Sequence, residues 1–210
     1  MRYLTLIIPV VFCGFAVMDC GFFFRAATTL SCAVILGLIS DRTLRPLIWW
    51  IIAALIVSSV ADWFMAYSSR SRNYFIYGVC LFFVAHLGYI LFSLKNGHLN
   101  RWLLTALLAV YLCFFFFMLY PGITGAVMFS AVLAYLVVSC ISLAAAIGIR
   151  LKASTRWGFA FGIFLLVFSD TIIALGGFAG YGGLDYLVLP TYFASQIVIT
   201  FALINKKNIL

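Results

Sequence analysis

The chain has 210 residues, 67% of them apolar and only 9% charged, and its thirteen basic against five acidic residues give a formal net charge of +8. Soluble domains carry roughly a quarter charged residues, so this composition excludes a soluble globular domain and points to an integral membrane protein. The basic residues all lie in or beside short connections, where anionic lipid headgroups are the natural counterpart, and no nucleic-acid partner is needed to explain them.

Eight apolar segments follow one another: Tyr3–Met18, Phe22–Ile39, Leu47–Tyr67, Tyr74–Leu94, Trp102–Tyr120, Thr124–Ile149, Trp157–Phe178 and Tyr186–Ile204. Each is near the ~17–25 residues a helix needs to cross the hydrocarbon core, the first two being the shortest. Transmembrane strands would alternate with period two, and runs such as Leu112–Leu119 do not. The expected fold is all-α and polytopic, with eight transmembrane helices in a single domain over residues 1–210. The first segment reads as a retained helix: no small-x-small cleavage site follows it, and Asp19 before Cys20 does not suit a lipoprotein signal. With eight spans both termini share a side, and that side collects Arg2, Arg42, Arg45, Lys95, Arg101, Arg150, Lys152, Arg156, Lys206 and Lys207, against Arg25, Arg70 and Arg72 opposite. The positive-inside rule then places both termini in the cytoplasm.

Chemistry concentrates in a few intramembrane polar residues. There is no glutamate, and of the five aspartates Asp62 and Asp170 sit inside apolar runs. A carboxylate there costs at least ~2.5 kcal/mol on insertion scales and marks a functional site by default. Both lie late in outward-running segments, roughly 8–12 Å below the outer boundary at 1.5 Å per residue. Ser58, Ser59 and Ala66 share the face of Asp62, and Ala174 and Gly177 that of Asp170. The fourth segment adds His86 with Tyr89 and Ser93 at i+3 and i+7 and Tyr77 further back, and the eighth adds Tyr192, Gln196 and Thr200 at i+4 spacing. Such stripes also serve as interhelical hydrogen-bond glue. The six cysteines, Cys13, Cys20, Cys32, Cys80, Cys113 and Cys140, show no CxxC spacing and read as small buried thiols. Asp41 beside Arg42, Asp185 after the Gly180–Gly183 turn, and His98 with Asn96 read as solvated turn residues.

The ordered set resembles the YhhN family, bacterial relatives of the mammalian lysoplasmalogenases. Ser58-Ser-Val-Ala-Asp-Trp-Phe-Met65 followed by Phe82-Phe-Val-Ala-His-Leu-Gly-Tyr89 is similar to the family's acid-bearing third helix and H-x-x-Y fourth helix. Phe168-Ser-Asp-Thr-Ile-Ile-Ala174 resembles its SD motif, and Tyr192-Phe-Ala-Ser-Gln196 its final Y-x-x-x-Q element. Two departures stand out: Ala61 replaces the usual glycine before the acid, and Phe24-Arg25-Ala26 stands where the family tends to show lysine-proline. An arginine fork is not equivalent to a lysine point charge.

The resemblance implies a cytoplasmic-membrane hydrolase that cleaves the vinyl ether of a lysoplasmalogen, releasing a fatty aldehyde and a glycerophospho-ethanolamine or -choline, with a lysophospholipid substrate, membrane lipids around it and no cofactor. The residues fit that chemistry independently. Protonation of the β carbon gives an oxocarbenium ion that water captures, which asks for one carboxylic acid and one carboxylate, as at glycosidic bonds. Asp62 and Asp170 suit these roles, in either order. His86, Tyr89, Tyr192 and Gln196 are candidates to orient the acids, the water or the glycerol, and Ser169 and Arg25 are further candidates, Arg25 either toward the headgroup or in an interfacial ion pair with Asp19. A zinc hydrolase is disfavoured by the presence of only two histidines, His86 and His98. A serine hydrolase is disfavoured because no G-x-S-x-G occurs and Ser169 points about 100° away from Asp170. The alternative is a small transporter or lipid-binding protein using Asp62, His86 and Asp170 as a proton or ion relay. Transporters favour Gly or Pro breaks near the midplane, whereas Pro121 and Pro190 fall near segment boundaries.

Overall fold

The computed structural model describes residues 2–39 and 45–204; the sequence readings of Asp41, Arg42, Lys206 and Lys207 lie outside the described residues. Among the described residues there are eight α-helices: α1 (Ile7–Val17, preceded by a 3-10 turn at Arg2–Leu6), α2 (Phe22–Ile39), α3 (Arg45–Ala66), α4 (Arg72–Lys95), α5 (Arg101–Phe114), α6 (Ala126–Ile147), α7 (Ala153–Ala179) and α8 (Val188–Leu203). Seven helical stretches are long and apolar enough to span a membrane, and the remaining one, Tyr3–Val17, is shorter. Its turn and helix rise only roughly 24 Å against a hydrocarbon core of ~30 Å. Eight helices therefore stand where eight were expected, seven of them long enough to span and the first shorter. Asp19, in the left-handed region at φ 56°, and Gly21 at φ 109° turn the chain back after it, a conformation that Asp and Gly tolerate best.

The other boundaries have local causes. Ser71 caps α4 by accepting from Asn73 N at 3.3 Å, and Asn100 caps α5 by accepting from Leu103 N at 3.1 Å. Below Phe114 the helix widens into a π-turn over Phe115–Leu119 and ends in a 3-10 turn at Tyr120–Gly122, where Pro121 cannot continue an α-helix. Gly180 closes α7 in the left-handed region, with Tyr181 N bonded to Leu175 O at 3.1 Å. At the opposite end the α4–α5 and α6–α7 connections are stitched together: His98 N bonds Gly148 O at 3.1 Å and Arg150 N bonds Asn96 O at 2.8 Å.

Inside a membrane, helix association relies on close packing and polar contacts rather than on hydrophobic exclusion. The main core joins α2, α3, α4, α7 and α8, with Tyr89, Phe92, Phe159 and Phe193 fully buried and the Phe92 and Phe159 rings 5.2 Å apart. Glycines set the closest approaches. A Cβ on Gly88 would stand 2.7 Å from Trp50 O across α3–α4, and one on Gly162 would stand 3.0 Å from Ser195 O across α7–α8. Gly162→Ala is accordingly expected to destabilise the protein by about 1–3 kcal/mol through overpacking. Thermal unfolding in detergent checks this, with Gly177→Ala, which meets nothing within 4 Å, as the near-neutral comparison.

The outside of the bundle is as apolar as the inside. Cys80 and Cys113 are accordingly exposed on helix faces and Cys20 in the α1–α2 turn, whereas Cys32 and Cys140 are buried. The sequence reading of six buried thiols is corrected for those three, because an apolar run does not reveal which face meets lipid. Helix α5 is the least embraced: a second, smaller core of Phe115, Leu119, Met128, Val132, Leu136 and Cys140 lies between its continuation and α6.

Candidate functional site

Helices α3 and α7 bring Asp62 and Asp170 to the lining of one cavity of about 210 Å³, against the ~10–15 Å³ that a single water requires. Arg25 from α2, Phe82 from α4, and Leu189, Tyr192 and Phe193 from α8 complete its wall, with Met65 and Ala66 one turn beyond Asp62. Asp62 is buried, at 9% exposure, although four turns of apolar helix precede it. Its Oδ2 has no hydrogen-bond partner, and neither have the buried hydroxyls of Thr29, Ser58 and Tyr192. Thr29 and Tyr192 are close enough to influence Asp62 but do not bond its Oδ2. Buried polar groups are ordinarily paired, and of these unpaired ones Asp62 and Tyr192 lie in the cavity wall, where they can meet a ligand's donors and acceptors.

Asp170 is held differently. Tyr135 OH donates to Asp170 Oδ2 at 2.6 Å, and His86 Nε2 stands 3.6 Å from the same oxygen. His86 Nε2 is also 3.2 Å from Tyr135 OH, and 3.4 Å from Ser139 Oγ. Since the tyrosine proton is committed to Asp170, the imidazole Nε2 is the donor to the tyrosine oxygen. The Ser139 hydroxyl bonds Tyr135 O one turn back at 2.9 Å, and the His86 and Tyr135 rings meet edge to face at 5.4 Å. Asp170 is thus an acceptor held by Tyr135 from α6, with the buried His86 of α4 beside it.

The remaining sequence candidates divide. Tyr89 and Gln196 are fully buried, and the Tyr89 hydroxyl and both Gln196 amide atoms lack partners. Gln196 lies one turn below Tyr192, and Tyr89 packs edge-on to His86 at 6.0 Å. Ser93 and Thr200 bond the carbonyls of Tyr89 and Gln196 on their own helices, at 2.7 and 2.8 Å, and carry no free function. Tyr77 is half exposed and packs on Phe64 instead of joining the stripe. Ser169 does not reach the cavity: its hydroxyl bonds Val188 O at 3.0 Å and ties α7 to the start of α8. Arg25 makes the ion pair with Asp19 that the sequence allowed, at 2.8 Å, and also lines the cavity, with its Nε buried and unpartnered. No group of three or more His, Cys, Asp or Glu side chains converges among the described residues.

Sequence reasoning missed Tyr135 and Ser139. They are spaced i, i+4 on α6, the same signal that picked out the stripes on α4 and α8, but without an acid on that helix to draw the eye.

The family's sequence model matches residues 21–203, from the start of α2 to the end of α8. The chain belongs to the YhhN family. Its matched region contains Asp62, His86, Tyr135, Asp170, Tyr192 and Gln196 and leaves out only the short first helix and the final residues. The YhhN chain is also 28% identical over 166 residues to lysoplasmalogenase TMEM86A of Bos taurus, covering 75% of this chain and 66% of the bovine protein. It therefore spans just under two thirds of that relative's length. No solved structure matches it.

Proposed function

We propose that this YhhN protein is a lysoplasmalogenase-type membrane hydrolase that cleaves the vinyl ether of a lysoplasmalogen to a fatty aldehyde and a glycerophospho-ethanolamine or -choline. The observation that carries this reading is that two carboxylates from different helices line one cavity with different surroundings. Similarity to a protein named lysoplasmalogenase supports the substrate class.

The surroundings distribute the roles. Asp170, fixed as an acceptor by Tyr135 and faced by His86, serves as the carboxylate. Asp62, with one oxygen unpartnered and the Arg25 charge already engaged by Asp19, serves as the acid. Asp62 delivers its proton to the β carbon of the vinyl ether, and the electron pair of the double bond forms the new C–H bond, leaving an oxocarbenium ion at the α carbon. Asp170 stabilises that cation and takes a proton from the water that adds to it. The hemiacetal then breaks its bond to the glycerol oxygen, which receives a proton as the aldehyde carbonyl forms. One water is consumed and both acids return to their starting states. Tyr192, whose unpartnered hydroxyl belongs to a cavity-lining side chain, bonds the glycerol hydroxyl, with Gln196 one turn along α8 behind it.

The test is aldehyde release from lysoplasmenylethanolamine by the detergent-purified protein. The second reading, a proton or ion relay, draws on the adjacency of His86 and Asp170. It predicts proton-coupled flux in proteoliposomes and no aldehyde. Under either reading the basic loops on the side of the C-terminus favour a cytoplasmic C-terminus, with the cavity in the outer half of the bilayer. An alkaline phosphatase fused after Leu210 is therefore expected to be inactive, and an active fusion would reverse the orientation.

A further inference from the structure

The cavity beneath Arg25 does not end at Asp170. A narrow crevice of about 40 Å³ shares Met65, Phe82, Asp170 and Ile173 with it and continues past Val132 and Ala174 to Phe75 and Phe178, between α4, α6 and α7. Apart from Asp170 and Tyr135, every residue lining the crevice is apolar. The near end carries the Arg25 guanidinium beside the two aspartates and the crevice beyond them is hydrocarbon; past Phe75 and Phe178 it meets a separate recess of about 270 Å³ lined by Arg72 and Thr124. A second small crevice on the α5 side reaches Asp170 and Tyr135 but shares none of Met65, Phe82 and Ile173 with the polar cavity.

A lysoplasmalogen has the same polarity along its length. Its phosphate and glycerol precede the vinyl ether, and a long alkenyl chain follows it. With the phosphate against Arg25, the vinyl ether falls between Asp62 and Asp170 and the chain continues into the crevice. A phosphate at Arg72 instead would leave the vinyl ether, only a glycerol away from it, outside the reach of both aspartates, since that recess contains neither, and a phosphate inside the crevice itself would have no cationic partner, the costliest arrangement available to an ion. We infer that the crevice between α4, α6 and α7 is the binding site for the alkenyl chain, with Arg25 at the phosphate end, and this rests on the lysoplasmalogenase reading. Ala174, one turn beyond Asp170, and Val132, nearly one turn before Tyr135, form the throat that the chain must pass. A larger side chain at either position closes it.

A saturated-ether lysophosphatidylethanolamine with a diazirine in mid-chain tests the placement without turnover, because it has no vinyl ether to cleave. Photolysed with the protein in detergent, it is expected to label Phe75 and Val79, which line this crevice and not the α5-side one, as mapped by peptide mass spectrometry, and to lose that labelling in Ala174→Phe or Val132→Phe. Labelling around Leu189 and Phe193 would mean the reverse orientation, and labelling around Phe114 the α5-side crevice. Either result, or no saturable labelling, overturns the inference. In turnover assays Ala174→Phe should lower kcat/KM for a long-chain substrate by about tenfold or more while affecting a short-chain one much less, and Arg25→Gln should act mainly on KM. Wild-type protein that labels in the crevice but releases no aldehyde retires the vinyl-ether chemistry and leaves the chain site standing. Normal aldehyde release with labelling elsewhere retires the chain site alone.

Discussion

Replacing either Asp62 or Asp170 with asparagine is expected to lower the rate of aldehyde release by about 10²–10⁴-fold, the range in which a positioned acid or base contributes to a proton-transfer step. Asparagine keeps the shape and removes the exchangeable proton and the charge, so the loss should appear in kcat. The fold should survive. Asp62 Oδ2 has no partner to lose, and an amide is easier to bury than a carboxyl that can ionise, so Asp62→Asn is expected to be at least as heat-stable as the parent. Asp170→Asn retains a carbonyl oxygen able to accept from Tyr135, and a modest loss of stability is expected there. Because the two acids act on one reaction coordinate, the double variant should be about as slow as the slower single one and not the product of both effects. Folded single variants that keep near-parental aldehyde release would sink the acid-pair mechanism. Parental protein without turnover, but with proton flux that both substitutions abolish, would favour the relay.

Much of this site was legible before any coordinates because an acid in an apolar run is so costly that its presence already demands an explanation. Asp62 and Asp170 line one cavity, as their common depth and small-residue faces anticipated. Helical spacing also placed His86, Tyr89, Tyr192 and Gln196 in the interior, where all four are buried. What spacing cannot reveal is which partner a buried polar group chooses. Ser93 and Thr200 sit on the expected stripes but bond their own helices, and Ser169 bonds the carbonyl of Val188 rather than facing the cavity beside Asp170. Tyr135 was illegible for the complementary reason: its importance comes from α6 packing against α4 and α7, a tertiary fact with no local signature. The same limit explains the short first helix and the lipid-facing cysteines. Apolar composition measures neither a helix's length to within a turn nor the side of it that meets lipid.

Tyr135 is where that tertiary fact becomes a measurable one. Its hydroxyl is the only short hydrogen-bond donor to Asp170 among the described residues, at 2.6 Å, with His86 Nε2 further off at 3.6 Å. A hydrogen bond to a charged group is worth about 1.5–3 kcal/mol, so Tyr135→Phe should lower kcat by about 10- to 150-fold. The ring itself stays, with its edge-to-face contact to His86 at 5.4 Å, and KM should change little because the hydroxyl binds the carboxylate and not the lipid. A merely structural tyrosine would predict something else: lower thermal stability, with kcat and KM drifting together. The decisive comparison is made in the Asp170→Asn background. If Tyr135 acts by positioning the Asp170 carboxylate, removing its hydroxyl there should cost almost nothing further, since the group it positions is already disabled. If the two losses instead multiply, Tyr135 acts independently of Asp170, and the assignment of Asp170 as the held carboxylate and Asp62 as the acid would have to be exchanged.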